Sequence, residues 1–335
     1  MHKLALQYPA VAEMSFDIEN ALNRPAHTAS GDHVFVTGLA RSGTTALTEY
    51  LKQGGCFRSL TYQDMPFVLM PGAWKKISGR RNPGLLRERA HGDGVFINVD
   101  SPEAFEEIFW RIFCGNDYIQ KDRLLPTKIS KSTLEKFRRF VHNALTSATL
   151  HEQDRYLSKN NNNVLRLGYI KKAFPQSHIV ISLREPLQHA TSLLQQHLRF
   201  TAIQTADKFA LDYMNWLGHF EFGLNQKCFF FGDESNFFEM MAHPKNSINF
   251  WLLNWKNYYR YILEQDSMDL ILFDYDKFCS DPARSLTCLF ECLSIPSSPV
   301  VKQFNSMEKL AGGYSNDLLD DCLAIYKVLR AKSIC

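Results

Sequence analysis

Apolar residues along the chain fall into two rhythms. Short runs rich in β-branched and aromatic residues, at 33–37, 57–62, 155–158, 177–183 and 270–273, read as strands. The run at 177–183 carries the clearest pattern of a buried strand. Helical spacing follows several of them. Residues 45–53 read as a helix stopped by Gly54-Gly55, and Pro186 suits the first turn of a helix reaching about residue 199. Asp281-Pro282 opens another through Cys292. Strand followed by helix, repeated along a chain, predicts an α/β fold with a parallel sheet flanked by helices.

Two stretches interrupt that repeat. Residues 63–150 form a long insertion, with helices expected near 102–114 and 132–148. Residues 200–268 are aromatic-rich, and the aromatic run at 248–261 reads as a helix facing a core. No repeat or low-complexity linker divides the 335 residues, so a single domain over 1–335 is expected, with a core about 33–315 and helical insertions.

Composition narrows the function classes. Lys plus Arg number 38 against 35 Asp plus Glu, a net charge of +3, without the basic excess of a nucleic-acid binder. With 45% apolar and 22% charged residues, the chain should bury a core rather than stay disordered. Nowhere do about 18 apolar residues run together, and the N-terminal stretch carries Glu13, Asp17 and Glu19, so no membrane anchor is expected and the protein reads as cytoplasmic. Eight cysteines without a CxxC pair read as free thiols, and no zinc ligand set is evident.

The chemistry begins at Gly38-Leu-Ala-Arg41-Ser42-Gly43-Thr44-Thr45, a glycine turn between a strand and a helix. Such a turn aims backbone N–H groups and the positive end of the helix at an anion. Gly38 and Gly43 have the spacing of a phosphate loop, but Thr44 stands where the Walker lysine belongs. That lysine normally reaches the β and γ phosphates, and its absence argues against triphosphate hydrolysis or kinase chemistry. Arg41 supplies a cation inside the loop instead, and Ser42, Thr44 and Thr45 add hydroxyls.

A second motif follows at the strand 177–183, which ends in Arg184 and has Ser192 eight residues on. A guanidinium fork matches phosphate oxygens, and a hydroxyl can donate one further bond. With both motifs in this order, the chain resembles the P-loop sulfotransferases, which take 3′-phosphoadenosine 5′-phosphosulfate (PAPS) as donor and release PAP. The resemblance implies a P-loop-type α/β sheet, a 5′-phosphosulfate loop at Arg41, Ser42, Gly43, Thr44 and Thr45, and a 3′-phosphate site at Arg184 and Ser192. Tyr156-Leu-Ser-Lys159 is similar to the strand carrying the family's lysine, which implies that Lys159 acts on the bridging oxygen or the sulfuryl group. No metal is required in that scheme.

The base for the acceptor proton stays open between two residues. Asp64 follows the second strand, where an acidic residue serves in several branches of the family; His91 lies before the third, and an imidazole has the better intrinsic pKa near neutrality. His219 and Glu221, two apart, stand out but stay outside the expected catalytic set, because a buried pair in an aromatic core accounts for them. The acceptor implied is a hydroxyl of a saccharide or small metabolite. The basic stretch 75–91 is either a surface that steers an anionic acceptor or a solvated face. The alternatives are a non-catalytic nucleotide-binding P-loop protein and a divergent nucleotide kinase. No signal for an oligomeric state is present.

Overall fold

The computed structural model describes residues 7–23, 31–79, 87–88, 96–97, 100–148, 154–296 and 313–334. Its centre is a five-stranded sheet of β1 (Val34–Gly38), β2 (Phe57–Arg58), β3 (Arg155–Lys159), β4 (His178–Leu183) and β5 (Leu270–Asp274), in the order β2-β3-β1-β4-β5. Every pairing in it is parallel. The expected α/β class and its flanked parallel sheet are therefore present.

Strand alternation sorts the side chains into two layers. Phe35, Tyr156, Ile179, Ile181, Leu183 and Leu272 enter the larger core, shared with helix α2 (Pro186–Ala206) through Leu187, Ala190 and Leu193 and with helix α3 (Ile248–Glu264). Val34, Val36, Leu157, Val180, Ile271 and Phe273 face the other way, onto helix α1 (Thr44–Gln53) through Leu47, Tyr50 and Leu51 and onto the helix Pro282–Cys292. With both faces covered, these strands carry almost no polar alternation, which is why they read as apolar runs. The helix after β1 and the helix after β4 thus lie on opposite faces of the sheet, the arrangement that opens a crevice at the carboxyl ends of adjacent strands.

Several boundaries differ from the sequence expectation for physical reasons. The second strand stops at Arg58: Thr61 makes an isolated bridge to Pro102 and caps a short 3-10 turn at Tyr62–Asp64. Helix α2 runs seven residues past the expected 199, to Ala206, with Phe200 and Gln204 buried along it. The insertion supplies the helices Glu106–Phe113 and Lys131–Thr146, and it is tied to the aromatic-rich region by parallel pairing of Arg123–Leu124 with Cys228–Phe229. Trp251, Trp255, Tyr258 and Tyr259 on α3 are fully buried, so the aromatic run there is core. Cys288, expected as a free thiol, is disulfide-bonded, while Cys56, Cys114, Cys228, Cys279, Cys292 and Cys322 are free. Among the described residues, no helix is long and apolar enough to cross a membrane.

Candidate active site

The turn after β1 is shaped by what its neighbours require. A Cβ on Gly38 would sit 2.5 Å from Ser42 Oγ and 2.9 Å from the Ser182 carbonyl of β4, so the strand can approach the loop only at glycine. Arg41 and Gly43 both take positive φ, 71° and 92°. For arginine that conformation costs about 1 kcal/mol, and surrounding bonds hold it. Ser42 N–H donates to the Leu39 carbonyl at 3.1 Å, and Ser182 Oγ donates to the Ser42 carbonyl at 2.5 Å. His189, on α2, donates from Nε2 to the Ala40 carbonyl at 2.7 Å. Since a carbonyl only accepts, that bond assigns the Nε2–H tautomer. Burial, with help from the Arg184 and Arg41 charges, pushes the His189 imidazole down to about 3, so it stays neutral. Gly43 is the N-cap of α1 and offers no side-chain cap, leaving the amide-rich, positive end of that helix toward the loop.

The second motif meets the first. Arg184 follows the last residue of β4, and Glu185 caps α2 by accepting from Gln188 N–H at 2.8 Å. Arg184 is only 6% exposed. Its Nη1 donates to the Arg41 carbonyl at 3.4 Å, its guanidinium carbon lies 5.3 Å from the Tyr275 ring centre, and its Nε has no partner. Among the described residues no carboxylate pairs with it. From the other side, Arg41 Nε donates to Ser192 Oγ at 3.1 Å. Arg41, expected at the 5′ end, thus sends its side chain to the 3′ motif and joins the two. A buried guanidinium with no carboxylate is unfavourable unless an anion completes it. Arg184 and Ser192 beside the loop therefore fit a nucleotide carrying two separate phosphates.

A third group lies at the carboxyl end of β3. Lys159 pairs in register with Val36 and shares the α1 side of the sheet with Leu157. Its Nζ meets Glu103 Oε1 at 3.1 Å, and Ala104 N–H donates to the same oxygen at 3.0 Å. Burial disfavours the Glu103 charge, but Lys159 and His219 outweigh it and hold the carboxyl well below the usual carboxylate range. His219 Nδ1 lies 3.5 Å from Glu221 Oε2. Burial works against the imidazolium, yet Glu221 and Glu103 raise its pKa above the ordinary value. Glu49 on α1 feels Glu103 as well: burial, opposed by Lys52, raises its pKa.

The structure therefore gathers Arg41, Ser42, Gly43, Thr44, Thr45, Arg184 and Ser192 around the β1 and β4 ends, with Lys159 on the next strand. Asp64 lies beyond β2, the edge strand of the sheet, and its bonds run to Arg58 and Thr61. It is 4% exposed, Oδ2 accepts from Thr61 N–H at 2.8 Å, and Oδ1 pairs with Arg58. His91 lies outside the described residues, as does much of the 75–91 stretch, though Lys75 Nζ donates to the Ser147 carbonyl at 2.9 Å. Glu103 escaped the sequence reading, because nothing local links it to a lysine 56 positions later. His219 and Glu221, noticed as a pair, prove to face the Glu103–Lys159 pair electrostatically. Among the described residues no group of three or more His, Cys, Asp or Glu is placed to hold a metal ion.

No curated protein matches the chain. Solved structures similar to it include sulfotransferase STF9 from Mycobacterium avium, 15% identical with a TM-score of 0.47 over 95% of this chain and 72% of that one. Sulfotransferase STF1 from Mycobacterium tuberculosis H37Rv is 13% identical with a TM-score of 0.41, covering 97% and 80%. A sulfotransferase from Alicyclobacillus acidocaldarius is 15% identical with a TM-score of 0.41, covering 90% and 93%. The profile described as the sulfotransferase family matches residues 33–226, more than half of the chain and a span that takes in the loop after β1, Lys159, Arg184 and Ser192. By that match the chain belongs to the sulfotransferase family, whose enzymes use PAPS.

Proposed function

We propose that this enzyme transfers a sulfuryl group from PAPS to a hydroxyl of a saccharide or small metabolite, and that the core strands and both insertions act as one catalytic unit. The observation that carries the reading is the junction of the two motifs: Arg41 reaches Ser192 at 3.1 Å, while the buried Arg184, paired with no carboxylate among the described residues, reaches the Arg41 carbonyl. When bound, PAPS supplies an activated sulfuryl group on a phosphate leaving group. The residues 42–45 and the α1 terminus hold the 5′ phosphate by backbone donation, which needs no reorganisation because His189 and Ser182 already fix the turn. Arg184 and Ser192, with the Arg41 side chain, hold the 3′ phosphate through charge-assisted bonds. Lys159 balances charge on the departing oxygen. In this reading Asp64 anchors the turn after β2 through Arg58 and Thr61, and the proton acceptor comes from the carboxylates around Lys159.

Calorimetric titration with PAP tests it. Wild type should bind PAP about 100-fold more tightly than adenosine 5′-phosphate, which lacks the 3′ group, since losing charge-assisted bonds of ~1.5–3 kcal/mol each has that effect. Substitution Arg184→Ala should erase most of the difference. Equal affinity for the two nucleotides in wild type would refute the 3′-phosphate assignment.

A further inference from the structure

The Lys159–Glu103 pair poses a chemical problem that the donor site does not answer. Lys159 is expected to serve the donor, yet its ammonium is held by a carboxylate at 3.1 Å, and both side chains are largely buried, 10% and 18% exposed. A buried ion pair contributes little net stability compared with well-packed apolar residues, so its persistence at the end of a site strand is not explained by folding energy. The surroundings are also charged on every side. Lys159 comes from β3, Glu49 and Lys52 from α1, Tyr213 from the helix Lys208–Leu217, and His219 and Glu221 from the turn beyond it. Glu103 and Glu221 thus share one lysine, with Glu103 the one it neutralises directly, and Glu49 adds its charge to Glu103.

We propose that Glu103 takes the proton of the acceptor hydroxyl, and that Lys159 withholds it until the donor's phosphate draws the ammonium away. This rests on the PAPS reading above. With the donor in place, Lys159 has a stronger anionic partner, and Glu103 is left desolvated with the Glu49 charge beside it and His219 and the Ala104 N–H opposite. Desolvation and like charges then raise its proton affinity, the condition a general base requires. In the transfer step the acceptor oxygen forms a bond to sulfur as the bond from sulfur to the phosphate oxygen breaks. The electron pair of that bond leaves with PAP, the hydroxyl proton passes to Glu103, and Lys159 sits against the new charge on PAP.

PAP binding measured by calorimetry in two buffers of different ionisation enthalpy, near pH 6.5, reports this without any acceptor. Wild type should take up more protons per PAP than Glu103→Gln, the difference between the two proteins removing the titration of the phosphates themselves. Freed of its competitor, Lys159 in Glu103→Gln should bind PAP about three- to tenfold more tightly. Lys159→Ala, which leaves Glu103 permanently unpaired by lysine, should also lose the extra uptake, so a folding defect in one variant does not decide the matter. With water as the acceptor, slow hydrolysis of PAPS should fall at least tenfold in Glu103→Gln and recover in part in Glu103→Asp. Identical proton uptake in wild type and Glu103→Gln, or undiminished hydrolysis, overturns the proposal. If wild type fails to bind PAP at all, the PAPS reading fails instead, which is a separate outcome.

Discussion

Replacing Arg184 with methionine removes a positive charge while keeping most of the side chain's length, and the structure sets its expected effects in opposite directions. In the free enzyme the guanidinium has one long bond, 3.4 Å to the Arg41 carbonyl, one contact with the Tyr275 ring and an unpartnered Nε. Trp255 Nε1 donates to the backbone carbonyl of Arg184, so that bond survives the substitution. Relief of an unpaired buried polar group is worth ~1–3 kcal/mol, offset by loss of a cation–π contact and a weak bond of about 1 kcal/mol together. The free variant should therefore be as stable as wild type or about 1 kcal/mol more so. Toward PAP it loses two charge-assisted prongs, at least about 3 kcal/mol, or roughly 100-fold in affinity. At a PAP concentration of about 100 times the wild-type Kd, ligand stabilises wild type by about 2.7 kcal/mol; the variant, then near its own Kd, gains only about 0.4 kcal/mol. Thermal unfolding with and without PAP reads both effects in one experiment. A free variant destabilised by more than about 2 kcal/mol, with its PAP-induced shift intact, would show that Arg184 is a structural strut.

Three further outcomes follow from the geometry. A Cβ on Gly43 would lie 2.2 Å from the Tyr275 ring at φ 92°, so Gly43→Ala should destabilise by ~2–5 kcal/mol in denaturant unfolding and abolish PAP binding; a neutral effect would mean the turn has another shape. Burial pushes His189 down to about 3, and His33 and His197 to about 4. Below pH 6.5 the unfolded chain binds protons that these folded imidazoles refuse, so stability should fall on acidification from 6.5 toward 4, by up to about 1.4 kcal/mol per pH unit for each. His189→Gln should make that slope shallower, and an unchanged slope would contradict the assignment. Asp64→Ala breaks a buried pair with Arg58 and a cap on Thr61 N–H, and should cost about 3 kcal/mol in urea unfolding; lost turnover at full stability would return Asp64 to the catalytic set.

How far the molecule could be read from its residues depended on the range of the interactions involved. The strands at 34–38, 178–183 and 270–274 were legible because both of their faces are covered, and the helix Pro282–Cys292 because Asp281-Pro282 marks its start. The turns after β1 and β4 were legible for a related reason. Each is a strand end running into a helix, and the glycines at 38 and 43 carry the stereochemical signature locally. What escaped was long-range. The second strand looked longer than it is because Thr61 pairs with Pro102 across the insertion rather than continuing the sheet. Arg41 was expected to face the 5′ end, but its partner is a serine 151 positions later. Glu103 carries no local mark of its tie to Lys159, and His219 with Glu221 looked like an ordinary core pair until Glu103 stood beside them. At Asp64 a turn residue and a base occupy the same sequence position, and the structure adds the bonds it makes to Arg58 and Thr61.

The placement of α1 and α2 on opposite faces has a mechanical meaning. A nucleotide gripped by the turn before one and the start of the other is a rivet through the sheet, adding to the bonds that His189 and Ser192 already make with that turn. Loading it should slow hydrogen exchange in both layers at once, far beyond the residues it touches, and its departure should loosen them together.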